Sequence, residues 1–283
     1  MTHYITKTNL SLGPQFGSQM TQYAGMYAVS RKLGSEIVFT EQQMPLFRGV
    51  KLFDAFNLTN KIIDNSEIQT SSFVLNDTIM DERVFELDRT LNWDIGGLFH
   101  TYQYFHEYER DVQNVFSFRP EICAVAGHQI GAIRDGESYP LVALHVRRGD
   151  YLAVSSLNLP TTYYERALSV FYDKLDGTYF KLIVFSDDIE WCKQNILGEN
   201  VFYSENNSNY VDMCMMSMCD HHIIANSSFS WWGAYLNQSQ TKIVVCPTEY
   251  IGPADQAHQF INGNYFPSTW VSISVVNSQG NIE

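Results

Sequence analysis

LVALHVRRGDY, residues 141–151, begins as an apolar run and ends in two arginines, a glycine and an aspartate. An apolar run that stops at a charged loop is typical of a buried strand in a parallel sheet. The arginine pair predicts an anion site, because planar guanidinium groups match phosphate or carboxylate oxygens and stay protonated. The chain is acidic otherwise, with 18 Lys+Arg against 31 Asp+Glu. We therefore expect a pocket for a small anionic ligand.

The second half of the chain repeats this pattern of a short β-branched run followed by a helical stretch. The predicted strands are 141–146, 181–186, 201–204, 222–225 and 242–246, and the predicted helices are 161–175, 187–195, 209–220 and 227–237. Strands that alternate with helices indicate a parallel sheet covered on both faces, which is a doubly wound α/β domain. Ligands of such sheets bind at the carboxyl ends of the strands. The polar segments HVRRGD, SDD and ANSSFS are therefore predicted to meet at one edge.

The first half has fewer clear signals. Residues 12–34 contain a glycine-rich loop that becomes a helix, which we expect to stop at Gly34 before a strand over 36–40. A further helix is predicted over 106–118, and 51–88 shows no clear period. The segment RDGESYP, 134–140, is predicted as the linker. The predicted domains are 1–135 and 136–283. Roughly the last 25 residues could instead pack back on the first domain, and the sequence does not decide this.

Composition limits the class of protein. A chain of 283 residues with 45% hydrophobic residues suits about two globular domains. A net charge of -13 argues against nucleic-acid binding. No apolar run is long enough to span a bilayer and no secretion signal is evident, so the expected location is the cytoplasm, with peripheral membrane attachment left open. The five cysteines are expected to be reduced thiols. Cys214, Cys219, His221 and His222 could in principle bind zinc. Their spacing differs from that of common zinc modules, so no metal is expected.

Successive side chains of a strand point to opposite faces, which separates the charged residues at the end of the predicted strand 141–146. His145 and Arg147 are predicted on one face and Arg148 on the other, so Arg147 is the candidate anion ligand. An ion pair between Arg148 and Asp150 that anchors the loop is the structural alternative. Asp150 is also the nearest carboxylate that could serve as a general base.

Three further segments carry candidate ligands. Asn226, Ser227 and Ser228 suit the start of a helix whose free N–H groups would bind phosphate, although an ordinary capped helix has the same pattern. The aromatic residues that follow are expected to pack in the core. Asp187 and Asp188 suit a divalent metal, while Ser186 or Asp187 suits the cap of the helix that follows. Asp212 could accept hydrogen bonds from a nucleobase or ribose, or act as a cap.

HVRRGDY, VFSDDIEWC and IIANSSFSWWGAYLN, in this order and spacing, resemble the three signature segments of the alpha-1,2-fucosyltransferases. The resemblance covers most of 141–247 and extends more weakly to GSQMTQYAGMYAVSRKLG, residues 17–34. The chain departs from the family pattern where GPQFGSQ replaces GGLGNQ, with Ser18 in place of an asparagine.

The resemblance implies two facing doubly wound (Rossmann-like) domains of the GT-B-like class and transfer of L-fucose from GDP-fucose to the 2-hydroxyl of a terminal galactose, with inversion. It implies neither a cofactor nor an obligatory metal. The first domain would bind the acceptor glycan and the second the donor. The oligomeric state is left open.

The family also implies roles for individual residues. Arg147 would contact the β-phosphate and act in catalysis, and Asp150, chosen as the nearest carboxylate rather than from the family, completes the predicted catalytic pair. The implied donor-binding residues are His145, Arg147, Arg148, Asp212, Asn226, Ser227, Ser228 and Phe229, and the N-terminal loop contributes Gly17, Ser18 and Gln19. A fucosyltransferase of another linkage, a metal-dependent transferase that uses Asp187 and Asp188, and a noncatalytic glycan- or nucleotide-binding module remain alternatives.

Overall fold

A computed structural model of the chain describes residues 2–11, 15–43, 51–154, 157–250, 261 and 263–275. The chain divides into two compact units, Met1–Arg119 and Pro120–Glu283. Each unit is built on its own sheet of parallel strands. None of the described helices combines the length and the apolar character needed to cross a membrane.

The first unit is a five-stranded parallel sheet in the order β3-β2-β1-β5-β4. Its strands are β1 (Tyr4–Thr6), β2 (Glu36–Thr40), β3 (Lys61–Ile63), β4 (Ser71–Val74) and β5 (Trp93–Gly96), and its helices are α1 (Phe16–Leu33), α2 (Leu52–Ala55) and α3 (Glu109–Val115). The predicted strand over 36–40 is confirmed. So is the helix stop at Gly34, whose φ of 73° places it in the left-handed region that glycine tolerates. The start of the predicted loop, residues 12–14, lies outside the described residues.

The second unit is a six-stranded parallel sheet in the order β11-β10-β9-β6-β7-β8. Its strands are β6 (Leu141–Val146), β7 (Lys181–Ser186), β8 (Val201–Tyr203), β9 (His221–Ile223), β10 (Val244–Pro247) and β11 (Val271–Ile273). Its helices are α4 (Pro120–Arg134), α5 (Thr161–Lys174), α6 (Ile189–Asn195), α7 (Asn209–Ser217) and α8 (Ser228–Leu236). The alternation of strands and helices predicted for this half is confirmed.

The centre of the second sheet forms the core of this unit. All six residues of β6 are buried, and helix α5 covers the sheet with fully buried Tyr163 and Phe171. The Tyr163 hydroxyl donates to the Ile224 carbonyl oxygen at 2.6 Å, so this buried polar group is paired. Helix α8 is buried along almost its whole length, and Trp232 is fully enclosed. The start of α8 is therefore fixed by packing.

The compact units divide 16 residues before the sequence-based boundary at 135/136, between Arg119 and Pro120. Helix α4 packs against α7 of the second unit, where the side-chain amides of Gln129 and Asn207 hydrogen bond to each other at 2.7 and 2.9 Å. The predicted linker follows this helix. Of the last residues of the chain, the described ones belong to the second unit. There β11 pairs with β10 in the parallel sheet.

Candidate functional site

The carboxyl ends of three neighbouring strands place the polar segments of the second unit together. Strand β6 lies between β7 and β9, with His145 opposite Phe185 and Leu144 opposite Ile223. The loops after these strands therefore leave the sheet at the same edge. This convergence of HVRRGD, SDD and ANSSFS matches the prediction. We call His145, Arg147, Arg148, Asp150 and Asp187 the strand-end cluster.

Arg147 lies between two carboxylates. Its Nη2 is 2.6 Å from Asp150 Oδ1 and its Nη1 is 2.8 Å from Asp187 Oδ2. The guanidinium also lies 5.3 Å from the centre of the Tyr151 ring. The ion pair of Asp150 is thus made with Arg147, and the alternative pair with Arg148 is wrong. Asp150 sits three residues after Arg147 in a short 3-10 helix, Gly149–Ala153, which brings the two side chains together.

Arg148 has different partners from Arg147. Its Nε is 3.0 Å from Asp188 Oδ2, and its guanidinium stacks 3.9 Å from the centre of the Trp191 ring. Both partners belong to the start of α6, since Asp188 caps this helix by accepting a hydrogen bond from the Trp191 N–H. The arginines therefore separate as strand alternation predicts. Arg148 fastens the loop after β6 to α6.

Asp187 joins the two arginines. One carboxylate oxygen bonds Arg147, and the other accepts a hydrogen bond from the Arg148 backbone N–H at 2.8 Å. A side chain at Gly149 would collide with this carboxylate. The prediction of Asp187 as a metal ligand or cap did not include these contacts. Only the spatial pairing of β6 with β7 shows them, and no sequence spacing encodes it.

His145 is a buried, neutral group beside the arginines. It is 5% exposed, and burial, followed by the charge of Arg147, lowers its pKa to about 3. Its ring lies 5.4 Å from the ring of Phe229, at the start of α8. Its Nδ1 has no hydrogen-bond partner among the described residues. The imidazole can therefore offer a hydrogen bond to a ligand without bringing a charge.

The start of α8 is tied to the loop after β6. Ser227 caps the helix by accepting a hydrogen bond from the Phe229 N–H at 3.3 Å, and Ser228 is the first helical residue. Asn226 donates to the carbonyl oxygens of Leu157 and Tyr250, while its buried Oδ1 lacks a partner among the described residues. A helix start can bind an anion because its first N–H groups have no partner within the helix itself, and here the Phe229 N–H is bonded to Ser227 Oγ.

Tyr151 makes the connection between the two segments. Its hydroxyl donates to the Asn226 carbonyl oxygen at 3.2 Å, and its ring lies beside the Arg147 guanidinium. Burial raises the pKa of Tyr151, so the hydroxyl stays protonated and remains a donor. No local sequence pattern indicates a role for Tyr151. Its distance from Asn226 along the chain hid the contact.

Two other groups of predicted residues lie elsewhere. Asp212 on α7 accepts a hydrogen bond from Ser204 Oγ at 2.6 Å, and burial raises its pKa. No contact recorded for the described residues joins Asp212 to the strand-end cluster. Gly17, Ser18 and Gln19 form the first turn of α1 in the first unit, where Gln19 accepts a hydrogen bond from the Lys51 N–H.

The residues weighed as zinc ligands have other roles. Cys214 and Cys219 are buried thiols, and burial raises the pKa of each. His221 Nδ1 accepts from the Ile243 N–H at 3.1 Å, and His222 Nε2 lies 3.0 Å from the amide nitrogen of Asn237. Among the residues that the structure describes, no group of three or more His, Cys, Asp or Glu side chains is placed to hold a metal ion.

The neutral state of His145 predicts a pH dependence of folding stability. An unfolded histidine takes up a proton near pH 6.5, whereas folded His145 does so near pH 3. Between these values the unfolded state binds more protons, so acidification lowers the free energy of unfolding, by about 1.4 kcal/mol per pH unit for one such histidine. Urea unfolding at several pH values between about 4 and about 6 should show this slope, and His145→Gln should make it shallower. Equal slopes in the two proteins would contradict the prediction.

Similarity to known proteins covers nearly the whole chain. The sequence matches glycosyl transferase family 11 over residues 1–274. An alpha-1,2-colitosyltransferase of Escherichia coli is 28% identical, and the match covers 91% of this chain and 95% of that one. The O-antigen biosynthesis glycosyltransferase WbnK of Escherichia coli is 40% identical over 40% of each chain. The human galactoside alpha-(1,2)-fucosyltransferase 1 is 25% identical over 80% of this chain. The match to WbnK spans 40% of that protein and the match to the human enzyme 64%, both less than two thirds.

Two solved structures share the fold. The fucosyltransferase NodZ from Bradyrhizobium aligns with a TM-score of 0.55 over 82% of this chain and 93% of its own, at 14% identity. POFUT1 in complex with GDP aligns with a TM-score of 0.55 over 87% of this chain and 98% of its own, at 13% identity. These likenesses agree with the predicted GT-B-like class, in which each unit is a parallel α/β sheet.

Proposed function

The chain belongs to glycosyl transferase family 11, and from this we propose that it transfers L-fucose from GDP-fucose to the 2-hydroxyl of a terminal galactose, with inversion. The observation that carries the proposal is the contact between the loop after β6, which holds Arg147 and Arg148, and the start of α8. His145 packs on Phe229, and Tyr151 bonds to Asn226. The human relative is named an alpha-(1,2)-fucosyltransferase and the Escherichia coli relative an alpha-1,2-colitosyltransferase, which supports this linkage.

The proposed catalysis rests on stabilising the GDP leaving group. Cleavage of the bond between fucose and GDP builds negative charge on the β-phosphate. The Arg147 guanidinium and the N–H groups at the start of α8 would stabilise this charge, as pre-placed donors do at developing anions. Asp150 and Asp187 hold Arg147 in place. Because these fixed charges supply the stabilisation, we propose that no metal or cofactor is required.

The remaining donor contacts follow the family resemblance. We propose that His145 and Asp212 contact the guanosine part, and that Ser227, Ser228 and Phe229 border the phosphates. Neutral His145, with an unpaired Nδ1, suits a hydrogen bond to an uncharged base or ribose. Arg148 would support the loop through its contacts with α6.

We propose Asp150 as the general base that removes the proton from the acceptor hydroxyl. Its carboxylate is 59% exposed and uses Oδ1 to bind Arg147. Asp150→Asn is expected to lower kcat by about 10² to 10⁴ and to remove the acidic limb of the pH–rate profile. A carboxylate that only positions Arg147 would lower kcat without changing that profile. A retained rate with an unchanged profile would end the proposal.

A second candidate keeps the linkage and changes the sugar. The relative that matches 95% of its own length is named a colitosyltransferase, so a GDP-colitose donor is the alternative that this comparison favours. Equal concentrations of the two donors in one reaction would decide between them. If the product carries more colitose than fucose, GDP-colitose is the donor in place of GDP-fucose.

The proposed activity can be tested with a panel of acceptors. The protein is incubated with GDP-fucose and lactose, N-acetyllactosamine or a galactose-free disaccharide, and mass spectrometry detects the addition of one deoxyhexose. We expect addition to the two galactosides only, and EDTA is expected to leave the rate unchanged. Loss of turnover in EDTA that Mg²⁺ or Mn²⁺ restores would support a metal-dependent transferase. Donor binding without transfer to any acceptor would support a noncatalytic module.

A further inference from the structure

A cavity of about 510 Å³ lies within the first unit, between helices α1 and α3 and the beginnings of β2 and β3. Glu36 is the first residue of β2 and Lys61 the first residue of β3, and both line the cavity. The cavity is therefore at the amino ends of these strands, whereas ligands of open α/β sheets bind at the carboxyl ends. Its volume falls within the range of roughly 300 to 1,000 Å³ of small-molecule sites.

One wall of the cavity is a tyrosine face of α1. Tyr23, Tyr27 and Arg31 follow one another at four-residue spacing, which places them on the same side of the helix. The Tyr23 hydroxyl donates to Asn60 Oδ1 at 2.8 Å, and the Asn60 amide donates to the Ile37 carbonyl oxygen at 3.1 Å. These bonds fix the wall before any ligand binds. The Tyr27 ring makes an edge-to-face contact with the Tyr108 ring, with ring centres 6.3 Å apart.

Two exposed polar side chains line the cavity. Arg31 and Asn114 are exposed and line the cavity. Within the described part of the chain, neither the Arg31 guanidinium nor the Asn114 amide makes a hydrogen bond or ion pair with another residue. Together they offer several donors and one acceptor to a ligand. The cavity is also lined by the ion pair of Lys61 and Glu36, whose charged atoms are 2.7 Å apart.

This lining selects a class of ligand. Sugar hydroxyls both donate and accept hydrogen bonds, so they match amides, hydroxyls and a guanidinium, while the C–H face of a sugar ring packs on tyrosine. A purely apolar ligand would leave Arg31 and Asn114 desolvated and unpaired. The Glu36 carboxylate and the Lys61 ammonium compensate each other, so this pair neither attracts nor repels a neutral ligand. A neutral oligosaccharide meets all of these conditions.

We propose that this cavity is a second carbohydrate site, which binds a neutral galactose-containing oligosaccharide and performs no chemistry on it. The choice of galactose rests on the proposed function, whereas the sugar class rests on the lining. The site would hold part of a glycan chain to the first unit. Removing it should weaken the binding of a longer glycan and leave kcat for a short acceptor unchanged.

Calorimetry with lacto-N-neotetraose and no donor tests the proposal. The unmodified protein should bind this tetrasaccharide, and the double variant Arg31→Ala/Asn114→Ala should bind it at least about tenfold more weakly, as loss of two sets of hydrogen bonds implies. The conservative pair Arg31→Lys/Asn114→Gln should recover part of the affinity. The control Lys32→Ala/Arg110→Ala changes exposed residues of the same two helices outside the lining and should bind normally.

The outcomes separate this site from the proposed function. Because no donor is present, binding that depends on Arg31 and Asn114 would support the site even if no transfer to galactosides is ever detected. Arg147→Ala should retain the same binding. Equal affinity of the unmodified protein and the Arg31→Ala/Asn114→Ala variant would overturn the proposal, and so would an absence of measurable binding to the unmodified protein.

Discussion

Replacing Arg147 by alanine is expected to lower kcat for fucosyl transfer by about 10² to 10³. The estimate is the usual loss when one donor to a developing oxyanion is removed. In this protein the lost group is the guanidinium that follows the end of β6. Its two terminal nitrogens bind Asp150 and Asp187. The side chain is 21% exposed and lies outside the core, so the variant should stay folded. Steady-state kinetics with circular dichroism of the same sample measures both effects.

Two further variants make the Arg147 result specific. Arg147→Lys keeps the charge and loses the bidentate geometry, so it should retain an intermediate rate. Arg166→Ala removes an exposed arginine of α5, whose Nε donates to the carbonyl oxygen of its own helix, and should leave kcat unchanged. A near-normal kcat in folded Arg147→Ala would defeat the assignment of Arg147 to the leaving group.

Trp232→Ala is expected to lower the free energy of unfolding by about 3 to 5 kcal/mol. This is the usual cost of replacing a buried Trp by alanine, because it combines lost burial with the cavity left behind. Trp232 is fully buried in α8, and its ring lies 5.0 Å from the ring of Trp231. The loss should also reduce donor affinity, since the same helix presents Ser227 to the candidate site. Urea denaturation gives the stability change.

A surface leucine provides the control for Trp232→Ala. Leu197 is 73% exposed, so Leu197→Ala should change the free energy of unfolding by less than about 0.5 kcal/mol. A Trp232→Ala variant as stable as Leu197→Ala would show that α8 is not held by core packing. The positioning of its first turn would then need another explanation.

Burial decides which parts of the fold could be predicted. Strands β6 and β7 are long apolar runs buried at the centre of a sheet, so the pattern and the structure agree residue by residue. Strands β3 and β4 are three and four residues long and largely exposed, so their sequences lack an apolar signal. Helix α4 buries only Ile122, Ala126 and Ile130, a narrow stripe that left its membership of the second unit hidden.

The candidate site divides in the same way. Arg147, His145 and Ser227 follow from local patterns, namely the end of a strand and the start of a helix. The link of Asp187 to both arginines and the bond from Tyr151 to Asn226 join residues 39 to 75 positions apart. Such contacts depend on strand order, which places β6 between β7 and β9. The sequence pattern predicts that these loops meet, but it does not predict which side chains bond.

The linkage of the reaction product is the decisive test of the proposed activity. The protein is incubated with GDP-fucose and N-acetyllactosamine, and the purified trisaccharide is analysed by two-dimensional NMR. We expect an α-linked fucose with a correlation between its anomeric proton and carbon 2 of the galactose. A fucose joined to any other carbon, or a β-anomer, would contradict it.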